Sequence, residues 1–485
     1  MKNSRFLKSA AVLSMGGVLA KGIGAIYRIP LSNLLGGYGI GLYQMAYPLF
    51  CVLLTFSSAG IPSAFSRIIA RETAKGSDTE STLKTALRLF ALLGLSGTAL
   101  MCLFAPHMSR LQGDERLMSC YLMLAPSVFL VALIAVLRGY FQGKDEMKPT
   151  ACSEIVEQIF KAGFGLFFAY RFREEPARAV SYCLLAVTIS EAAALLYLIL
   201  RARPKQTKLL TVRHTTGQDV LFAALPVMAS ASLLPLSQTV DSVMLVRLLS
   251  GHTVHAVALY GLFTGGALSL VSLPATACYG LAAASVPSLA QCYAKGEREE
   301  GKRRALYALT VTLLLALPCA VGIFLFSKPI AAFLYPNLDE TDTETFVMLL
   351  RLTSISAVSL AGIDTLAACL TGMGRAKKAT FSMLIAVLVK FVLQQLLVGN
   401  PRYSIGGAAI AANACYLVAF FLDLFYTVKK EKVKDNDNGN RFGRKSGRSV
   451  RTGAQGIESR RLRARKKRLS RVNGLDGGGN PFSDA

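Results

Sequence analysis

Two cations stand where a bilayer-crossing chain tolerates them least. Lys21 and Arg28 lie inside the run from Lys8 to Tyr43, KSAAVLSMGGVLAKGIGAIYRIPLSNLLGGYGIGLY, an apolar stretch longer than the roughly 20 residues that cross a bilayer. A cation near the bilayer centre costs about 2.5–3.5 kcal/mol on insertion scales. Each must therefore face a polar interior, pair with an acid on a neighbouring helix, or snorkel to a surface. Their separation of seven residues is two helical turns, which puts both on one face. A cationic stripe lining a cavity would hold an anion, with arginine offering a planar bidentate fork for phosphate and lysine a compact charge.

Other charges inside apolar segments extend the candidate set. Glu154, Glu157 and Lys161 fall at i, i+3 and i+7. Glu157 and Lys161 make a favourable i,i+4 pair, which leaves Lys161 open to a structural or a substrate-facing role. Lys390 has no acid one turn away and is the better cavity candidate of the two lysines. Arg247 and Arg351 are further candidates for an anionic headgroup, and Arg247 equally suits the outer surface. Asp241, Asp364 and Glu191 are candidates for coupling to an ion or for pairing with these cations, as is Asp423. Arg351 and Asp364 are 13 residues apart, on different helix faces, and are not expected to pair.

The elements that must position these residues are membrane helices. The chain of 485 residues is 53% hydrophobic with a mean hydropathy of +0.44, too apolar for a soluble enzyme of several domains. Apolar segments at roughly 8–30, 41–66, 83–106, 119–140, 150–170, 179–200, 218–248, 256–286, 305–326, 345–371, 379–398 and 404–428 predict twelve spans. The first follows Lys2, Arg5 and Lys8 but is too long for a signal peptide and lacks a clear cleavage site. Basic residues crowd the even connections, as at Arg67, Arg71 and Lys75 or Lys295, Arg298 and Lys302, and are sparse in the odd ones. Both termini are therefore expected on the cytoplasmic side of a bacterial cytoplasmic membrane. Pro62, Pro126, Pro226, Pro235, Pro274 and Pro318 fall where helices must bend. The ten cysteines have no CxxC or ligand spacing, so neither a metal site nor a disulfide framework is expected. No nucleotide-binding, metalloprotease or nucleophile-elbow motif is present, and external connections are too short for a catalytic domain. An enzyme is not expected, and no cofactor beyond coupling to Na+, H+ or membrane potential.

An internal repeat organises the spans. The segment from Leu137 to Thr150 matches that from Leu366 to Ala379, and Gly143 and Gly372 each stand eighteen residues before a lysine, Lys161 and Lys390. Ala59-Gly-Ile-Pro-Ser63 likewise matches Ala284-Ser-Val-Pro-Ser288. The expected architecture is all-α and polytopic, with two parallel six-helix repeats, 1–213 and 214–430, able to rock about a midplane site.

The stretch FLKSAAVLSMGGVLAKGIGAIYRIPLSNLLGGYGIGLYQMAYPLF, then SSAGIPSAFSRIIARETAKG, together with the LRGYFQGKDEMKP segment, closely resembles the stage V sporulation protein B group of polysaccharide-biosynthesis membrane proteins. That group belongs with lipid II flippases, O-antigen flippases and multidrug and toxin extrusion antiporters, and the resemblance covers about residues 5–430. It implies a transporter for undecaprenyl-pyrophosphate-linked glycans, a peptidoglycan or other polysaccharide precursor, with Lys21 and Arg28 similar to the first-helix cations of lipid II flippases. Ile29 follows Arg28 where those proteins often carry an acid, and no added helix pair is expected after the twelfth span. The alternative is a cation-coupled multidrug antiporter, which would want an acid-lined cavity.

Residues 429–485 carry seventeen Lys and Arg against six Asp and Glu, a net +11. With few apolar residues, 431–485 is expected to be a disordered basic cytoplasmic tail, drawn to anionic membrane lipids at about 1 kcal/mol per basic residue. Nucleic-acid binding is not expected, because no aromatic residues interleave the basic run. The protein is expected to be a monomer.

This topology places residues 72–80 and 296–303 in the cytoplasm and 339–344 outside. Single cysteines in a cysteine-free background, probed with an impermeant thiol reagent on intact cells, should label only in the third segment. Labelling of the first two would overturn the orientation.

Overall fold

A helix of 57 residues, α1 (Lys2–Ser58), opens the chain. Straight, at 1.5 Å per residue, it would run about 86 Å, almost three times a hydrocarbon core of about 30 Å. Instead it breaks at Gly36, whose backbone lies at φ 64°, ψ −177°, a conformation that only glycine adopts without strain. The expected spans 8–30 and 41–66 are thus the two arms of one kinked helix, with a glycine where a loop was expected between them. Tyr38 fixes the start of the second arm, donating to Asp114 Oδ2 at 2.6 Å and accepting from Arg116 Nη1 at 2.9 Å.

The computed structural model describes residues 2–58, 61–75, 78–202, 232–336 and 338–429. After α1 come α2 (Ile61–Lys75), α3 (Thr79–Gln112), α4 (Leu117–Gly143), α5 (Met147–Arg171) and α6 (Pro176–Arg201). Beyond the undescribed 203–231 follow α7 (Leu233–Ser250), α8 (Ala256–Gly261), a π turn (Leu262–Ala267), α9 (Leu268–Val271) and α10 (Leu273–Ala294). The series closes with α11 (Arg298–Leu325), α12 (Ser327–Leu334), α13 (Glu340–Gly372), α14 (Ala376–Val398) and α15 (Ser404–Val428). Among the described residues nine helices are long and apolar enough to cross a membrane, with α1 counted once. Twelve crossings would add its second arm, α5 with its intramembrane charges, and α7. The expected boundary at 213/214, Pro226 and the tail 431–485 lie outside the described residues.

Two expectations are corrected in detail. The second span does not run to residue 66: α1 ends at Ser58, and a separate α2 follows. Its Ile61, Phe65 and Ile69 are buried in a cluster with Phe90, Ile134 and Leu137, the narrow apolar face of an amphipathic helix. The eighth span is not one α-helix but is interrupted by the π turn, in which Gly265 and Gly266 are buried.

The repeat is visible in the backbone. Asp145 and Gly374, each two residues beyond the matched glycines, take φ 61° and 75°. Each is followed by the same helix-closing bond, Glu146 N–H to Phe141 O at 2.9 Å and Arg375 N–H to Leu370 O at 2.7 Å. Both matched glycines sit where a Cβ would collide with a neighbouring helix. An added Cβ would lie 2.7 Å from Ser66 O at Gly143 and 2.7 Å from Val286 O at Gly372. α4 therefore packs on α2 as α13 packs on α10.

At the end of the bundle that holds Gly36, the helices before and after the undescribed segment close on one another. A Cβ at Gly41 would stand 2.1 Å from Val257 O, and one at Gly261 would stand 2.2 Å from Gly37 O, so α1 and α8 touch backbone to backbone. Gln112, fully buried at the end of α3, donates to Ser242 Oγ at 2.8 Å and to Met45 O at 3.0 Å. Gly261→Val should hold this junction apart. Spin labels at Glu115 and the exposed Val254 are then expected to lie farther apart than in the parent protein by double electron–electron resonance. An unchanged distance would mean that the glycine contact does not close this end.

Candidate functional site

The arms of α1 fold back at Gly36, so that residues of both line one space. Gly24, Tyr27, Arg28 and Leu31 of the first arm and Ile40, Tyr43, Gln44 and Tyr47 of the second line a cavity of about 160 Å³. Lys161 of α5 completes the wall. Arg28 and Lys161 thus share one small space, and among the described residues lining it there is no carboxylate. Tyr43 stacks on Tyr47 with ring centroids 5.5 Å apart. Gly165 gives Tyr27 its room, since a Cβ there would lie 2.2 Å from the tyrosine hydroxyl. Towards the closed end the space is shut by the π turn: a Cβ on Gly265 would meet Ile40 Cγ2 at 2.0 Å and Gln44 Cγ at 3.2 Å.

Lys161 reaches the cavity because Glu157 is engaged elsewhere. Arg138 of α4 donates through Nη2 to Glu157 Oε2 at 3.0 Å and through Nε to Ser153 Oγ at 3.0 Å. Glu191, buried on α6, joins this polar cluster, where the charges of Glu157, Arg138 and Lys161 act on it.

The matched lysine has the opposite fate. Lys390 Nζ lies 2.5 Å from Asp241 Oδ2 of α7 and 3.4 Å from Ser237 Oγ, with both members of the ion pair largely buried. The expectation that Lys390 is the better cavity candidate is therefore reversed, for a physical reason that local spacing hides: its acid comes from another helix. Asp241, an expected coupling site, is this partner. Its Oδ1 and Gln394 Oε1 are buried with no donor among the described residues. Each lysine faces the helix that opens its repeat, α1 for Lys161 and α7 for Lys390. Arginine and tyrosine meet the first, and a carboxylate meets the second.

The other expected residues are dispersed. Lys21 is exposed and lies within electrostatic reach of Asp364 on α13 and Glu154 on α5. Asp364 is thereby placed as a neighbour of Lys21, away from the cavity lining. Arg351 donates to Ser327 Oγ at 3.0 Å. Arg247 donates to Leu111 O at 2.8 Å, completing the C-terminal turn of α3. Neither Arg247 nor Arg351 lines the cavity. Tyr27, Gln44 and Tyr47 were not singled out from the sequence, and Tyr43 stood out there only as an aromatic suited to the membrane interface, not as a cavity residue. The signal for them was present: once Gly36 is taken as a hairpin point, Tyr43 and Tyr47 fall on the arm that folds back towards Arg28 and Gly24.

Known proteins resemble this chain in sequence and in fold. Residues 6–293 match the polysaccharide biosynthesis protein family, and residues 226–396 match MatE. The chain is 28% identical to stage V sporulation protein B of Bacillus subtilis (strain 168) over 430 residues, 85% of this chain and 81% of that protein. It is 24% identical to the lipid II flippase MurJ of the same organism over 457 residues, 88% and 83% of the two chains. Among solved structures, an inward-facing multidrug resistance MATE family transporter of the MOP superfamily aligns with a TM-score of 0.71 at 17% identity, covering 86% of this chain and 97% of that one.

The Lys390–Asp241 pair makes a stability prediction. Removing one partner of a buried ion pair costs about 3–5 kcal/mol, whereas replacing both with apolar residues of similar size is often neutral. Asp241→Leu alone should lower the melting temperature in detergent, and Asp241→Leu with Lys390→Met should restore most of it. Equal melting of the parent and the single variant would show that the pair is not structural.

Proposed function

The chain belongs to the polysaccharide biosynthesis protein family, and from that premise we propose that it is a flippase, carrying an undecaprenyl-pyrophosphate-linked glycan across the cytoplasmic membrane by alternating access. It is a multi-pass membrane protein, and its relatives include a protein named as a lipid II flippase. One observation carries the substrate reading: Arg28 and Lys161 face a common cavity that no carboxylate among the described residues lines. Two cations that share one space attract an anion, and the fork of Arg28 matches phosphate oxygens two at a time. In this reading the anionic headgroup enters between the arms of α1 while the polyprenyl chain stays in lipid, and both termini lie on the cytoplasmic side.

Carriage then requires the end closed by Gly41, Gly261 and Gln112 to open as the other end shuts. Lys21, acted on by Glu154 and Asp364, is the cation that an arriving headgroup meets on its way to Arg28. Glu191 is the coupling candidate that this geometry favours, since its charge neighbours include the cavity lysine. A multidrug antiporter for cationic drugs is less well supported, because the cavity lining has the wrong sign of charge for such a substrate.

Arg28→Ala, at equal membrane abundance, should raise the dissociation constant for the lipid-linked substrate. A hydrogen bond to a charged group is worth about 1.5–3 kcal/mol, or about a ten- to hundredfold change. Arg28→Lys should recover little, because a point charge does not replace the planar fork. Lipid-linked precursor should then accumulate on the cytoplasmic leaflet. Parental transport by Arg28→Ala would contradict the proposal.

A further inference from the structure

We infer that the hydroxyl of Tyr335 is a second contact for the anionic headgroup, outside the cavity, which the phosphate oxygens reach when the end closed by Gly41 and Gly261 opens. This deepens the flippase reading and rests on it.

Position is the first argument. The π turn walls the cavity at its closed end, where a Cβ on Gly265 would meet Ile40 Cγ2 at 2.0 Å and Gln44 Cγ at 3.2 Å. The next residue, Gly266, has different neighbours: a Cβ there would lie 3.3 Å from Tyr335 Oη and 2.6 Å from Phe346 Cε2 of α13. One glycine thus abuts the cavity wall and the next abuts the tyrosine hydroxyl, and neither brings a side chain between them. Tyr335 also stands within electrostatic reach of Arg28 and beside Ser32, one turn further along the same arm of α1. α12, which leads into Tyr335, is seated on that arm. Asn33 Nδ2 donates to Phe333 O at 3.4 Å, and Ala331 and Leu334 are buried in one cluster with Leu31 and Leu35.

Chemistry is the second argument. Tyr335 is 4% exposed, and its ring is held edge-on against Phe346 with centroids 5.0 Å apart. Its hydroxyl has no hydrogen-bond partner among the described residues, and Ser32 turns its own hydroxyl to Arg28 O at 2.8 Å. A buried polar group without a partner costs free energy and calls for a role. A phosphate oxygen is the acceptor that this donor lacks, since hydrogen bonds to an anion are short and about twice as strong as neutral ones. An uncharged donor also suits an exit, because it draws the anion away from Arg28 without a further cation to hold it there. Tyr335 does not line the cavity, so its hydroxyl should matter to movement of the headgroup and not to its binding at Arg28 and Lys161.

The test removes the hydroxyl and keeps the ring. Tyr335→Phe in the purified full chain should melt like the parent, because no bond is lost, and should bind farnesyl diphosphate within about twofold of it. In proteoliposomes the same variant should carry a polyprenyl-diphosphate N-acetylhexosamine lipid between leaflets about tenfold more slowly than the parent. In the Gly261→Val background, once spin labels at Glu115 and Val254 show that end held apart, Tyr335→Phe should weaken farnesyl diphosphate binding about tenfold. A parental transport rate with Tyr335→Phe, or an affinity that responds alike in both backgrounds, would overturn the inference and leave the flippase reading standing. A parent protein that moves no glycolipid would overturn both.

Discussion

A charge inside hydrocarbon has to be answered, and in this protein the identity of the answering group decides what each part of the bundle can do. Lys161 and Lys390 occupy the same place in an internal repeat, each eighteen residues beyond a matched glycine. Lys390 meets Asp241 and is neutralised in place. Lys161 meets Arg28 across a small cavity, so two like charges share a space that only an anion makes favourable. The Arg138–Glu157 bond is what permits this. Were Glu157 paired with Lys161 one turn along its own helix, the cavity would lose half its positive charge.

The second dependency is the bend at Gly36. Without a residue that accepts φ 64° there, the two arms of α1 could not fold back to line one space, and Arg28 would not share it with Tyr43 and Gln44. Tyr38 ties the bend to Asp114 and Arg116, while Gly41 and Gly261 let the second arm approach α8 to backbone contact. One helix thus forms the site, the turn that shapes it, and part of the junction that shuts one end of the bundle. In the proposed transport cycle, opening of that end and reshaping of the cavity would act through the same 57 residues.

Much of the fold was legible because its causes are local and periodic. Apolar segments of spanning length locate the helices, and the glycine-to-lysine spacing reveals a repeat whose turns, at Asp145 and Gly374, share one backbone geometry. Lys21 and Arg28 announced themselves by their cost. What stayed hidden is a matter of partners from distant helices. Nothing near Lys390 in sequence discloses Asp241, and the local Glu157–Lys161 spacing suggests a pairing that Arg138 pre-empts. Arg247 could be placed at a surface or at a headgroup with equal reason, and its bond to the carbonyl of Leu111 has no trace in the local sequence. The tyrosines of the cavity carry no charge to mark them and become conspicuous only once the hairpin folds.

In the proposed function Arg28 and Lys161 together hold a diphosphate-bearing lipid. This claim is tested most directly by mass spectrometry of the lipid that copurifies with the protein from native membranes. The parent chain should retain polyprenyl-diphosphate lipid, and the Arg28→Gln, Lys161→Met double variant, folded and equally abundant, should lose it while keeping bulk phospholipid. Equal retention by the double variant, or a parent chain carrying only bulk phospholipid, would contradict the claim.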